Sequence, residues 1–97
     1  MFAVIFRAKS GVQDKDYYSA VEKMRELAFS KYACKEFVSV TEGKQEIAIS
    51  YWESETAIKA WKNDAEHMAS KELGRSKWYE SYIVQVVEIK HEYGYAG

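Results

Sequence analysis

The sequence predicts an α+β sandwich in the order strand, helix, strand, strand, helix, strand. Three observations carry that prediction. The stretches Phe2 to Ala8 and Ile83 to Ile89, near the two ends of the chain, are short runs of β-branched and aromatic residues, the composition of strands. Between them, two longer stretches repeat their apolar residues every three or four positions, as one face of a helix does. Glu42-Gly43-Lys44 interrupts an extended middle stretch where Gly43 can supply the positive φ of a hairpin turn.

The elements follow in order. The first strand is apolar on both faces, with Phe2, Val4 and Phe6 on one and Ala3 and Ile5 on the other. Gly11 breaks it. Asp14 or Asp16 then caps a helix running to about Lys31, whose buried stripe is Tyr17, Val21, Met24 and Ala28, with Ala20 and Leu27 alongside. Lys35 to Glu42 and Gln45 to Trp52 are the two strands of the hairpin. Ser54 caps the second helix, where Ile58, Trp61, Ala65 and Met68 share one face. Gly74 suits the left-handed end of that helix, and Lys71 and Arg75 suit its negative pole. Ser76 can cap one more turn carrying Trp78 and Tyr79. The last strand is again apolar on both faces, and the tail from His91 to Gly97, with two glycines, is expected to be loose or docked on a partner. This order is the split βαβ of a ferredoxin-like βαββαβ sandwich, both helices on one face of a four-stranded antiparallel sheet, the first and last strands in or near its middle.

Two helices cover only one face of such a sheet. A solvated opposite face would alternate with polar residues, yet the first strand carries Phe2, Val4 and Phe6 on one side and Ile5 on the other, and the last carries Val84 and Val86 against Ile83, Val87 and Ile89. A second copy packed sheet to sheet would cover them. The expected assembly is a two-fold homodimer through the sheet faces, a dimeric α+β barrel.

Composition removes several classes of function. With 97 residues the chain is expected to form one domain over 1–97, burying about 60–65% of its unfolded surface. A formal net charge of −1 attracts neither nucleic acid nor an anionic membrane. The third strand, QEIAISYW, lacks the glycine-rich aromatic consensus of RNA-binding sheets. No apolar run approaches the ~20 residues of a membrane span, and the start FAVIF is too short for a signal peptide. One cysteine, Cys34, allows no internal disulfide and fits a reducing cytoplasm. It reads as structural. No metal cluster, glycine-rich phosphate loop or cofactor motif is present, so no cofactor is expected.

The chemistry concentrates in Tyr51 to Tyr82, which holds all three tryptophans, Trp52, Trp61 and Trp78, together with His67. So much aromatic surface reads either as core or as a pocket wall for a small aromatic ligand. The expected pocket lies between the second helix and the sheet, lined by Trp61, His67, Met68 and Trp78, with Arg75 and Tyr79 near its mouth. His67 follows Trp61 by six residues, about −120° around an ideal helix, so on a continuous helix it points away from the apolar face. Spacing alone favours a surface histidine on a continuous helix; the other reading, which the phase conflict predicts, is a kink or interruption at Asn63-Asp64, with Asp64 as a new cap that turns His67 toward the sheet.

The strand end YWES, then AIKAWKNDAEH, then GRSKWYESY, resembles the antibiotic biosynthesis monooxygenase domain family. The resemblance runs over nearly the whole chain and is strongest in a small, uncharacterised bacterial subgroup with W-x5-H on the second helix. It implies a dimeric α+β barrel. It also implies oxidation of phenols or quinols by dioxygen without metal or flavin. In characterised members a helix tryptophan, a hydroxyl-bearing residue six positions later and an asparagine four positions earlier line the pocket. Trp61 matches the first, His67 stands at the second, and Ala57 stands where the asparagine would be. The resemblance thus implies His67 as general base beside Trp61, and the expected pocket adds Met68, Arg75, Trp78 and Tyr79 as substrate-binding residues. The alternative is a non-catalytic dimer that binds a small ligand or serves a stress-linked structural role. Haem-degrading members use an asparagine on the first strand and a histidine ten residues past the tryptophan. The nearest residues here, Arg7 and Lys71, match neither, which argues against haem degradation.

Overall fold

The computed structural model describes residues 1–71 and 75–97, and the side chains of 1–67 and 77–97. Its elements are β1 (Phe2–Ser10), α1 (Lys15–Ser30), β2 (Glu36–Glu42), β3 (Gln45–Trp52), α2 (Glu55–Lys71), the short α3 (Arg75–Trp78) and β4 (Tyr79–Glu88). The ferredoxin-like order is the one predicted, and the extra turn before the last strand is α3. Gly74, expected to end α2, lies outside the described residues.

Local chemistry sets the element ends. The Asp14 carboxylate accepts from the Tyr17 amide at 3.2 Å and caps α1, and the Ser54 hydroxyl accepts from the Ala57 amide at 3.1 Å and caps α2. Gly43 carries the hairpin turn at φ +59°. Asp14 also pairs with Lys77, and this contact, with the Tyr17 amide, holds its carboxyl below the ordinary aspartate range. The folded value lies below the unfolded one. The stabilisation is therefore present above the unfolded pKa and is lost as pH falls through the folded one. In thermal melts, Asp14→Asn is expected to fall below wild type at neutral pH and to converge with it in acid. A gap that persists in acid would assign the effect to geometry rather than charge.

The strands form one antiparallel sheet in the order β2-β3-β1-β4. β1 is central, as expected, but β4 is an edge strand, not a middle one. The reason is topological: the split βαβ unit places β3 between β1 and β2, and of the two free edges only the outer side of β1 gives a right-handed crossover from β3 through α2 to β4. β4 also begins earlier than Ile83. β1 runs on to Ser10, which pairs with Tyr79 across a register shift after Lys9. The amides of Gly11 and Val12 then donate to the carbonyls of Trp78 and Lys77 at 2.7 and 2.8 Å. Gly11 is needed for that approach, because a Cβ there would sit 2.5 Å from the Lys77 carbonyl oxygen.

Side chains alternate across the sheet. Phe2, Val4, Phe6 and Ala8 face the helices with Ser50 and Trp52. The core joins Val4 and Trp52 to Ala28 of α1 and Ile58 of α2. Ser50, buried among them, accepts from Trp52 Nε1 at 2.8 Å. A second cluster joins Tyr17 and Ala20 to Trp78. Val4→Asp would bury an unpaired charge and cost several kcal/mol, about the penalty of an unpaired polar group in apolar surroundings or more. Val86 differs. It shares the helix-facing side, opposite Val4 across the strand pair, but lies on the open edge and is 49% exposed. A charge at Val86 is therefore solvated in the protomer and probes neither the core nor the opposite face.

That opposite face has no helix over it. Val38, Val40, Ile83 and Val87 are exposed on it at 37–61%, beside the half-buried Ile5, Ile47, Ile49 and Tyr51. Among the described residues no helix is long and apolar enough to cross a membrane.

Candidate functional site

Between the helices and the inner face of the sheet lies a cavity of about 250 Å³. Its long wall is α1, from Tyr17 to Met24. The seven helical steps between them span about 10 Å, the length of two or three fused aromatic rings. At the Met24 end stands Trp61, whose Nε1 donates to the Met24 carbonyl at 2.8 Å. Its ring lies 5.3 Å from Trp52 and 6.1 Å, edge-on, from Phe37. Arg25 covers the outer side of Phe37 at 5.1 Å and donates to the Phe37 carbonyl. This end is apolar within, with charged side chains at the rim.

The other end is polar. Glu46 of β3 faces the helices because it falls in the same alternation as Ala48, Ser50 and Trp52. One of its carboxylate oxygens accepts from the Tyr17 hydroxyl at 2.7 Å and the other from Gln13 Nε2 at 3.1 Å. The Tyr79 hydroxyl points to the Tyr17 hydroxyl at 3.5 Å. Edge-on contacts at 5.6 and 5.8 Å pack Tyr17 against Trp78 and Tyr79, and Phe6 packs against Tyr79 at 5.3 Å. Burial, with the neighbouring hydroxyl and carboxylate, holds the Tyr17 phenol protonated far above its ordinary range. Burial likewise pushes Tyr79 up to about 12. At neutral pH both are donors. Tyr79 donates to Tyr17, and Tyr17 donates to the Glu46 carboxylate.

The expected site residues divide. Trp61, Trp78 and Tyr79 line the cavity. Met68 and Arg75 lie outside the described side chains. His67 is exposed and does not line the cavity. The interruption expected at Asn63-Asp64 is absent, and α2 runs unbroken from Glu55 to Lys71. The physical reason is Asp64. Its carboxylate accepts from the Tyr32 hydroxyl and lies 3.6 Å from Lys31, so it ties α2 to the end of α1 and does not cap a new segment. Ala57 is half-buried against the core. Cys34 is buried, its thiol donates to the Glu36 carbonyl at 3.3 Å, and burial raises its pKa, which makes it a poor nucleophile.

Glu46, Tyr17, Gln13 and Phe37 were not singled out from the sequence. A signal for Glu46 was present: in QEIAISYW it is the one charge on the face that carries Ala48, Ser50 and Trp52. Among the described residues, no group of three His, Cys, Asp or Glu side chains is placed to hold a metal ion.

No protein-family model matches the chain. It is 39% identical over 92 residues to the uncharacterised protein YqjZ of Bacillus subtilis strain 168, covering 94% of this chain and 81% of YqjZ. Among solved structures, a Deinococcus radiodurans protein placed among the antibiotic biosynthesis monooxygenases superposes with a TM-score of 0.67 over the full length of both chains, at 8% identity. A mutant of MhuD, solved with two manganese protoporphyrin IX molecules per active site, superposes with a TM-score of 0.56 at 16% identity, over 95% of this chain and 98% of that one. At those identities the superpositions establish the fold, and the sequence match establishes kinship. The chain belongs to one family with YqjZ and has the fold of the antibiotic biosynthesis monooxygenases.

Proposed function

We propose that this protein is a cytoplasmic homodimer that binds a small phenol or quinol in the cavity and oxidises it with dioxygen, without a bound cofactor. The observation that carries the reading is the cavity itself, with flat aromatic walls at one end and the Glu46 carboxylate, held by Tyr17 and Gln13, at the other. Glu46 accepts the phenolic proton, which raises the electron density of the ring. The ring then passes electrons to dioxygen in a water-poor space. The balance for a simple phenol is one phenol and one dioxygen giving one quinone and one water. A C–H and an O–H bond break, one oxygen atom becomes the new carbonyl and the other leaves as water. Tyr79, protonated up to about 12, donates to the oxygen that gains charge. Trp61 and Phe37 hold the ring flat.

A volume of about 250 Å³ lies below the ~300 Å³ at which drug-sized pockets begin, so the ligand is small. A porphyrin does not fit it as it stands. Arg7, at the first-strand position relevant to haem degradation, belongs to the opposite face of the sheet, paired with Ile47 and Ile83. The cytoplasmic placement is supported by the lone buried thiol of Cys34.

The test is oxygen uptake with a panel of phenols and hydroquinones, run beside ligand-induced quenching of tryptophan fluorescence. Uptake and quenching by the same compounds support the reading. Quenching without uptake would support a passive ligand-binding dimer instead, a role favoured by the exposed His67 and the apolar Ala57. Neither response to any compound would end both.

The dimer is supported by the uncovered apolar sheet face. Ile49, central on that face, pairs with Ile5 and Val38 on its two neighbours. Ile49→Asp is expected to convert the dimer to monomer in light scattering, since the charge would be buried between the sheets. Unmodified protein at the monomer mass of 11.3 kDa would overturn the dimer.

A further inference from the structure

The open face of the sheet is apolar but not uncharged. Its side chains fall in rows across the strands, and one row reads Val40, Ile47, Arg7, Ile83. Arg7 therefore stands on a central strand with an isoleucine on either side. Among the described residues it makes no ion pair and no hydrogen bond, whereas Lys9, two positions on, is held by Glu80 at 3.4 Å. The β2 border of the same face carries Glu36, opposite Tyr51, and Glu42, opposite Gln45. Neither carboxylate is paired among the described residues. The β4 border presents Ser81, Ile83, Gln85 and Val87 there and no charge. The face thus holds an unpaired cation near its middle and unpaired anions along one edge only.

Resting on the sheet-to-sheet dimer, we propose that Arg7 of each protomer crosses the interface to a β2-border glutamate of its partner, and that the two symmetric ion pairs set the register of the sheets. Within one sheet the charges do not meet. β1 and β2 lie two strand spacings apart, about 10 Å, with β3 between them. Closing two apolar faces over Arg7 takes its guanidinium out of water, and an unpaired charge there is costly. A carboxylate from the facing sheet removes most of that cost, and the planar guanidinium suits it in bidentate geometry. The occupant is a second copy because the face supplies both signs itself. In a two-fold interface a contact from Arg7 to the partner's glutamate is made twice. Apolar contact alone lets two flat faces slide or rotate, whereas a cation that must find its anion admits one arrangement.

The experiment is charge reversal followed by mixing, read as the dimer dissociation constant in analytical ultracentrifugation. Arg7→Glu is expected to weaken the dimer at least about thirtyfold, because it sets carboxylate against carboxylate in both pairs. Glu42→Arg and Glu36→Arg are measured beside it, and the one that removes the true partner is expected to weaken the dimer as much. An equimolar mixture of Arg7→Glu with that variant is expected to dimerise near wild-type affinity. In the mixed dimer the introduced carboxylate meets the introduced guanidinium, and the native Arg7 meets the native glutamate. All three side chains are exposed in the protomer, so the variants are expected to keep the wild-type circular dichroism spectrum. If a reversal does not fold, Arg7→Gln, which removes the charge alone, is expected to weaken the dimer about tenfold. Wild-type affinity in Arg7→Glu or in Arg7→Gln overturns the proposal and leaves the dimer standing. A loss that neither mixture restores also overturns it. Wild-type protein at the monomer mass of 11.3 kDa overturns both.

Discussion

Glu46→Gln is expected to lower oxygen uptake with a hydroquinone about 10²–10⁴-fold, the usual worth of a general base. The substitution keeps the size of the side chain and an oxygen that can accept from Tyr17, so the cavity wall is retained while the proton acceptor is removed. The effect is expected in kcat, with KM nearly unchanged, because the lost interaction belongs to the reacting state. His67→Ala serves as the comparison. His67 is exposed on an unbroken helix and lines no part of the cavity, so its removal is expected to leave the rate within about twofold, as surface changes away from the chemistry do. A wild-type rate in Glu46→Gln would reduce Glu46 to a structural anchor for Tyr17. A collapse in His67→Ala would place the base on α2 after all.

The largest effect on stability is expected from Trp52→Ala. Trp52 is fully buried where β3 meets both helices, against Val4, Ala28 and Ile58, and its N–H is satisfied by Ser50. Truncation removes the ring, opens a cavity in a thin core and leaves the Ser50 hydroxyl without its donor. Such aromatic truncations cost about 3–5 kcal/mol. Against a total stability of about 5–15 kcal/mol, that is a large share. Each kcal/mol shifts the midpoint of a domain this size by about 4–8 °C, so a fall in Tm of more than about 10 °C is expected in calorimetry. Trp52→Phe, which keeps most of the apolar volume, is expected to fall less. A Trp52→Ala melt within a few degrees of wild type would mean that the helices repack over the gap.

Strands, helices and caps were readable because each depends on a few neighbouring residues. Period-two runs, period-three-and-four stripes, Asp14, Ser54 and Gly43 report their roles locally, and the structure places them accordingly. The two-faced strands were equally legible, since alternation alone says which side chains a sheet must divide between its faces. The register that brings Glu46 beneath Tyr17 was not, because it joins groups 29 positions apart and no periodicity records which helix residue lands above which strand residue. The helix phase correctly put His67 outward on a continuous helix, but the kink expected to turn it inward failed for the same reason. The expected kink treated Asp64 as a cap because aspartate caps helices, whereas the fold brings Tyr32, in the turn after α1, to Asp64 and the helix continues. Composition and period determine elements, faces and the aromatic wealth of the second half of the chain. Tertiary packing alone decides which of those side chains meet around an empty space, because a site is a set of long-range contacts.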